Sequence, residues 1–178
     1  IGFSVGDRAL LTLAASVEKN SQHPLAEAIV RRAAEKGIEL KESANFDTFS
    51  GKGVIATVEG NEVLIGNRIL FEERSNSYPE SRGEQVVQLE NEGKTAILIA
   101  RDTKIVGVIA VADTLKESTE EAIKAFKAMK LNVVMITGDN ARTAHAIAEQ
   151  IGIDRVLAEV LPQDKAEEVK RLQMRGEV

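Results

Sequence analysis

Apolar residues recur at helical spacing near the start of the chain. Between Asp7 and Glu18 they fall three or four residues apart, which predicts an amphipathic helix. Pro24 suits the first position of a second helix, because its φ is held at a helical value and its missing N–H would be unpaired there anyway. Gly37 is the expected end of that helix. The two segments predict a helical hairpin with a short break at its tip.

The pattern then changes to the alternation that is typical of strands. Strands are predicted at 46–49, 54–58, 63–65, 95–100 and 104–112, with Gly60-Asn61 as a hairpin turn. Between them we predict a short helix at 68–74, a surface loop at 75–82 and a helix at 83–92. This succession indicates an α+β unit, an antiparallel sheet with helices on one face.

After residue 112 helices and strands alternate along the chain. We predict helices at 117–129, 141–150 and 165–174, a buried strand at 133–136 and a short strand at 156–157. Such alternation is typical of βαβ units and a parallel sheet, although two strands are few for one. We therefore predict two domains, 1–112 and 113–178, and expect the missing strands of the second to come from outside this sequence.

The amino-acid composition excludes several classes of function. The 178 residues contain no cysteine, which excludes disulfides and thiolate metal sites, and only two histidines, which argues against a histidine-built metal site. A net charge of −5 argues against general binding to nucleic acid or anionic membranes. The longest apolar runs are far shorter than the roughly 20 residues of a membrane span. We expect a soluble, monomeric chain with no resident metal and no nucleic-acid partner.

Gly93-Lys94-Thr95 is similar to the end of a phosphate-binding P-loop, but the required glycine five residues earlier is replaced by Gln88. A P-loop also stands between a strand and a following helix, whereas here the predicted helix comes first. We interpret this segment as a helix C-cap followed by a strand.

Thr137-Gly138-Asp139-Asn140 follows a predicted strand and precedes a helix, the position at which α/β proteins bind ligands. Gly138 allows a tight turn, and the threonine hydroxyl with helix N-terminal amides can hold a phosphate-like anion. Alternatively, Asp139 or Asn140 only caps the next helix. Lys165 begins the last helix, where a cation opposes the helix dipole; it either serves an anion or is a solvated lysine.

The tip of the predicted hairpin carries two further candidates. Glu18 lies in the last turn of the first helix, where a carboxylate is unfavourable, and His23 opens the second helix. A carboxylate can accept from an exocyclic amine, and an imidazole ring can lie flat against a purine. Gly51 and Gly53, between two strands, allow backbone to come close to a ligand. Each feature also has a purely structural explanation as a helix start or a turn.

Several motifs occur in one order along nearly the whole chain: Ser21-x-His23-Pro24-Leu25-Ala26, Gly51-x-Gly53, Ile65-Gly66-Asn67-Arg68, Asp113-Thr114-Leu115-Lys116, Thr137-Gly138-Asp139-Asn140-Ala141-Arg142-Thr143-Ala144 and Leu161-Pro162-x-x-Lys165. This series resembles the large cytoplasmic loop of heavy-metal-transporting (class IB) P-type ATPases, the copper exporters in particular. The His-Pro motif with the glycine pair and Gly-Asn is specific to the heavy-metal class. The Thr-Gly-Asp and Pro-x-x-Lys motifs are shared by P-type ATPases generally.

The resemblance implies an ATP-binding domain at 1–112 and part of a haloacid-dehalogenase-like phosphorylation domain at 113–178. It implies an ATP pocket, with Mg²⁺ used in the intact enzyme, in which Glu18 meets the adenine amino group and His23 the adenine ring. The other residues of that pocket are Gly51, Gly53 and Asn67. The residues implied around the transferred phosphate are Thr137, Gly138, Asp139 and Lys165, with Asp113 nearby.

Two motifs of the family are absent from these residues: the phosphorylated Asp-Lys-Thr-Gly-Thr, and the Gly-Asp-Gly-x-Asn-Asp that helps to bind magnesium. The resemblance implies that they precede Ile1 and follow Val178. We therefore expect a cytoplasmic piece of a membrane-embedded Cu(I) exporter, with transmembrane and actuator regions as its partners. Such a piece binds ATP and ADP but is inactive alone in the phosphoenzyme cycle. The alternatives are a zinc or cadmium exporter, a haloacid-dehalogenase-type phosphatase fragment, and a non-catalytic interaction domain.

Overall fold

A computed structural model describes residues 1–74, 80–112 and 115–176. In chain order the elements are α1 (Asp7–Glu18), α2 (Pro24–Glu35), β1 (Ser43–Phe49), β2 (Gly53–Val58), β3 (Asn61–Gly66), α3 (Arg68–Glu73), α4 (Glu80–Asn91), β4 (Thr95–Arg101), β5 (Lys104–Val111), α5 (Thr119–Ala128), β6 (Val134–Ile136), α6 (Ala141–Ile151), β7 (Arg155–Leu157) and α7 (Lys165–Met174). The predicted loop at 75–82 lies outside the described residues up to 79, and α4 then begins at Glu80.

The chain divides into two compact units. The first contains residues 1–86 and 96–111, and the second contains residues 87–95 and 112–178. The second unit therefore takes in the end of α4 and the first residue of β4, a short segment that lies in sequence between the two parts of the first unit. The assignment of 1–112 and 113–178 to two functional domains remains a proposal.

The first unit is built on a five-stranded sheet in the order β1-β2-β3-β4-β5. The pairs from β1 to β4 are antiparallel, as predicted. Glu59 and Gly60 form the β2–β3 turn with φ values of +49° and +78°, one residue earlier than predicted. Positive φ at both central residues is typical of a type I′ turn, which matches the twist of the paired strands.

The predicted helical hairpin is confirmed as α1 and α2. Helix α2 ends at Glu35 and is followed by Gly37, whose φ is +58°; the Ile38 N–H donates to the Ala33 carbonyl at 3.0 Å, a Schellman ending. The buried side chains of both helices share one core with buried side chains of β2, β3, β4 and β5. The residues of this core include Leu10, Leu13, Val17, Ile29, Ala33, Val54, Val58, Val63, Ile65, Ile97, Ile99 and Val106. Burial of each larger aliphatic side chain contributes about 1.5–3 kcal/mol.

The second unit holds a two-stranded parallel sheet, β6 beside β7, with α5, α6 and α7. Strand β6 is half-buried along its length rather than buried as predicted. The reason is that, among the described residues, only β7 pairs with it, so its other edge lacks a covering strand. No helix in the described part of the chain is long and apolar enough to cross a bilayer.

Gly93 ends α4 in the manner predicted for a helix C-cap. Its φ is +74°, and the Lys94 N–H donates to the Leu89 carbonyl at 3.1 Å. Strand β4 begins two residues later at Thr95. The interpretation of Gly93-Lys94-Thr95 as a helix end before a strand, rather than a P-loop, is confirmed.

Candidate functional site

Glu18 is the last residue of α1, and only 8% of it is exposed. Burial raises the pKa of its carboxyl to about 7, and a hydrogen bond to the Ser21 side chain opposes part of that rise. The Ser21 N–H also donates to the Glu18 carbonyl at 2.9 Å, which closes the helix end. The tip of the hairpin therefore buries a carboxyl that changes its charge near neutral pH.

His23 is the N-cap of α2. Its Nδ1 accepts the Leu25 N–H at 3.2 Å, and its own N–H donates to Ser21 Oγ at 3.2 Å. Because Nδ1 is the acceptor, the neutral ring carries its proton on Nε2. His23 therefore has a structural role as a cap, while its ring is held at the surface in one orientation. Through Ser21 it is linked to Glu18.

Gly51 and Gly53 each need glycine, but for different reasons of backbone geometry. Gly51 lies in the β1–β2 connection with a left-handed φ of +69°. Gly53 pairs with Gly66 across β2 and β3, and a Cβ on Gly53 would lie 2.1 Å from the Ile65 carbonyl oxygen. The missing side chain of Gly53 is thus explained by the close approach of two strands, without any ligand.

Asn67 ties the glycine loop to α3. Its Oδ1 accepts the Leu70 N–H at 3.1 Å, which caps the helix, and its Nδ2 donates to the Gly51 carbonyl at 3.2 Å. Its backbone N–H donates to the Lys52 carbonyl at 2.9 Å. Both ends of the side chain are thus engaged within the protein, so Asn67 positions the loop.

These contacts join the first-unit candidates into two groups. Ser21 connects Glu18 with His23 at the hairpin tip, and Asn67 connects α3 with the loop at Gly51. A single pocket lined by both groups remains a proposal.

In the second unit Thr137 and Asp139 form a tight pair directly after β6. Thr137 Oγ1 donates to Asp139 Oδ2 at 2.6 Å and accepts the Asp139 N–H at 3.1 Å. The other carboxylate oxygen, Oδ1, accepts from Thr95 Oγ1 at 3.1 Å. The pair is half-buried, at the carboxyl end of the strand where ligands bind in α/β proteins.

Asn140, and not Asp139, caps α6. Its Oδ1 accepts the Thr143 N–H at 3.1 Å. The Ala141 N–H donates to Glu159 Oε1 at 3.4 Å, which places a carboxylate at the positive end of the helix dipole. Two of the first amides of α6 are therefore used by side chains of the protein, and the capping alternative holds for Asn140.

Gly138 does not use glycine's left-handed backbone, so the predicted tight turn does not need it. A Cβ there would lie 3.5 Å from the Val160 carbonyl oxygen, an ordinary contact. Val160 also donates its N–H to the Thr137 carbonyl at 3.0 Å, so the chain after β7 runs beside this loop on its way to α7. Lys165, the first residue of α7, is exposed, and Asp113 lies outside the described residues.

Sequence reasoning missed the residues that support this loop. Thr95 contacts Asp139, and Thr143 Oγ1 donates to the Lys94 carbonyl at 2.9 Å. Arg142 pairs with the buried Glu90 at 3.0 Å. These partners are about 50 positions apart in sequence, so no local pattern could reveal them.

The chain belongs to the haloacid dehalogenase-like hydrolases, because the model of that family matches residues 5–178. It is also 45% identical over 171 residues to the copper-exporting P-type ATPase of Staphylococcus aureus strain JH9, a match that covers 96% of this chain and 21% of that protein. The chain thus spans about a fifth of the length of that relative.

Solved structures of P-type ATPases are among those similar to this chain. A zinc-transporting PIB-type ATPase in its E2.Pi state is 34% identical with a TM-score of 0.62, over 96% of this chain and 27% of that chain. The N-domain of HMA8, a copper-transporting P-type ATPase, is 27% identical with a TM-score of 0.56, over 62% of this chain and 94% of that chain. The resemblance to heavy-metal-transporting P-type ATPases and the predicted pair of folds are therefore confirmed.

Proposed function

We propose that this chain is the ATP-binding cytoplasmic region of a P-type ATPase that exports Cu(I) through an aspartyl-phosphate intermediate. Similarity to a copper exporter along nearly the whole chain supports the class of protein. The observation that carries nucleotide binding is the pair at the hairpin tip: a buried carboxyl linked through Ser21 to the backbone N–H of His23, and a surface imidazole whose Nδ1 caps α2. A carboxylate without a ligand would be more stable in solvent, and a surface histidine without a ligand would not need a fixed ring.

In this proposal the Glu18 carboxyl accepts a hydrogen bond from the adenine amino group, and the His23 ring lies against the adenine. The cap bond at Nδ1 holds the ring in advance, so little rotamer freedom is lost when the base stacks. The loop at Gly51, held by Asn67, brings backbone close to the nucleotide. Asn67 thereby acts through the shape of that loop.

The proposed phosphoryl site consists of Thr137, Gly138, Asp139 and Lys165, and the family resemblance adds Asp113 to this set. Phosphoryl transfer needs mostly positioning and neutralisation of oxygen charge, which an ammonium group and hydroxyl or amide donors supply. The exposed ammonium of Lys165 is the positive charge of this set. The described residues hold no group of three or more acidic or histidine side chains that could bind a metal ion.

Zinc is the second candidate for the exported ion, because one similar structure is that of a zinc-transporting ATPase. The roles proposed above are toward nucleotide and phosphate, so they do not distinguish the two ions. The full-length transporter that carries this segment separates the two ions: we expect Cu(I), and not Zn²⁺, to stimulate its ATP hydrolysis.

Calorimetric titration with ATP and ADP, with and without Mg²⁺, tests nucleotide binding directly. Because the proposed contacts are at the adenine end, we expect similar affinities for ATP and ADP and little dependence on Mg²⁺. Saturating ATP that produces no heat change, together with unshifted amide resonances at the hairpin tip, contradicts the proposal.

Variants of the hairpin tip make the test specific. His23→Ala and Glu18→Ala are each expected to weaken ATP binding by about 1–2 kcal/mol, the size of a stacking or hydrogen-bond contact. His23→Asn is the matched control, because asparagine keeps an N-cap acceptor for α2 but removes the ring. If the ring serves ATP, His23→Asn loses affinity and keeps its thermal stability.

Asp139→Asn provides a negative control in the same titration. Its proposed role is at the phosphoryl site, so ATP affinity is expected to stay within about 0.5 kcal/mol of the original value. A large loss of affinity in Asp139→Asn, with no loss in the hairpin-tip variants, would show that ATP binds the second unit and would contradict the proposal.

A further inference from the structure

We propose that Thr95 is a positioning residue of the phosphoryl site, holding the Asp139 carboxylate in the orientation that places Thr137. This inference rests on the proposed function, because it assigns work to the same site. Thr95 is the first residue of β4 and follows the helix end at Gly93, in a segment where the helix comes before the strand, the reverse of a P-loop.

The carboxylate of Asp139 has one threonine donor on each oxygen. Thr95 Oγ1 donates to Oδ1 at 3.1 Å, and Thr137 Oγ1 donates to Oδ2 at 2.6 Å. Rotation of the carboxylate breaks one or both of these bonds. Thr95 and Thr137 therefore fix the plane of the carboxylate together, and neither bond alone fixes it.

The segment that carries Thr95 is anchored to α6 by contacts that do not involve Asp139. Thr143, which is fully buried, donates its hydroxyl to the Lys94 carbonyl at 2.9 Å. Arg142 Nη1 pairs with Glu90 Oε2 at 3.0 Å, and the Glu90 side chain is only 5% exposed. A Cβ on Gly93 would come within 3.4 Å of Ile147.

Thr95 therefore approaches Asp139 from a fixed support. Helix α6 begins directly after Asp139 and Asn140, so this helix and the segment before β4 hold the loop from both sides.

The bonds of Thr137 explain why a second donor is needed. Its hydroxyl has one proton, which it donates to Asp139, while it accepts the Asp139 N–H. To donate to a phosphate oxygen, Thr137 must release Asp139 Oδ2. The bond from Thr95 to Oδ1 then remains and keeps the carboxylate in place during the exchange.

Thr95→Val tests this role, because valine has nearly the shape of threonine but no hydroxyl. In this chain we expect about tenfold faster hydrogen exchange at the backbone amides of Asp139, Glu159 and Val160, measured by NMR, the size of one hydrogen bond to a charged group. Thr95→Ser should restore protection. Thr12→Val is the matched control, since the Thr12 hydroxyl donates to the Arg8 carbonyl within α1.

The functional measurement uses the full-length ATPase that carries this segment. Thr95→Val is expected to slow phosphoenzyme formation from ATP about tenfold with an unchanged KM for ATP, and Thr95→Ser to recover the rate. An unaltered rate in Thr95→Val, or a loss that serine does not repair, overturns the inference. If the unmodified ATPase forms no phosphoenzyme, the proposed function fails instead, and the exchange measurement alone decides the role of Thr95.

Discussion

Replacing Gly53 with alanine is expected to lower the free energy of unfolding of the first unit by at least about 3 kcal/mol. The new Cβ would lie 2.1 Å from the Ile65 carbonyl oxygen and 2.6 Å from the Gly66 Cα. Both are backbone atoms of β3, so the clash can be relieved only if β2 and β3 separate. The φ of Gly53, +157°, is also one that alanine rarely adopts.

Urea unfolding followed through amide resonances of β2 and β3 measures this effect. Gly6→Ala is the control, because a Cβ on Gly6 meets nothing within 4 Å and its backbone is in the extended region. As Gly6 is the N-cap of α1, we expect a loss of at most about 1 kcal/mol there. Equal midpoints for Gly53→Ala and the original chain would show that the two strands do not approach this closely.

Glu18→Gln is expected to stabilise the first unit at alkaline pH and to leave it nearly unchanged at acid pH. The pKa of the Glu18 carboxyl is about 7 in the folded chain and 4.5 in the unfolded chain. The folded state therefore binds this proton more tightly, so the stabilisation from protonation is complete below pH 4.5 and is lost as the pH rises through about 7.

Glutamine is neutral at every pH and so avoids the cost of burying a charge. At about pH 8 we expect Glu18→Gln to be more stable than the original by about 3 kcal/mol, an advantage that shrinks to less than about 1 kcal/mol near pH 5. Urea unfolding at the two pH values measures the difference. Ser21→Ala should raise the Glu18 pKa further, because it removes the opposing hydrogen bond. A pH-independent difference for Glu18→Gln contradicts the raised pKa.

The two predictions concern Gly53 and Glu18, and the structure explains the first residue but not the second by stability. Gly53 is explained by strand packing alone, whereas a buried carboxyl at the C-terminal end of a helix costs stability above neutral pH. In the proposed function, a binding site for a base with an amino group accounts for such a cost at Glu18, which is linked through Ser21 to the backbone of His23.

Helices and strands were predictable because their causes are local. The spacing of apolar residues in α1, Pro24 at the first turn of α2 and glycine at the end of α4 act within a few residues of themselves. Errors occurred where the cause was a neighbour: β6 is half-buried because only one strand pairs with it among the described residues, and the β2–β3 turn lies one residue earlier than its composition indicated.

The candidate residues divide in the same way. Glu18, His23, Thr137 and Asp139 were candidates because each lies at a predicted helix or strand end, and the family resemblance suggested their roles. Their partners could not be read. The roles of His23 as a cap and of Asn67 as a link to the glycine loop depend on atoms that meet only after folding.

The amino-acid order was therefore enough for the elements, the α+β and parallel-sheet classes, and the family resemblance. Tertiary structure alone decided that Gly53 serves strand packing, that burial moves the Glu18 pKa to about 7, and that Thr95 reaches Asp139 across 44 positions. The physical reason is range: propensity and periodicity act over a few residues, while burial and hydrogen bonding depend on which distant segments come into contact.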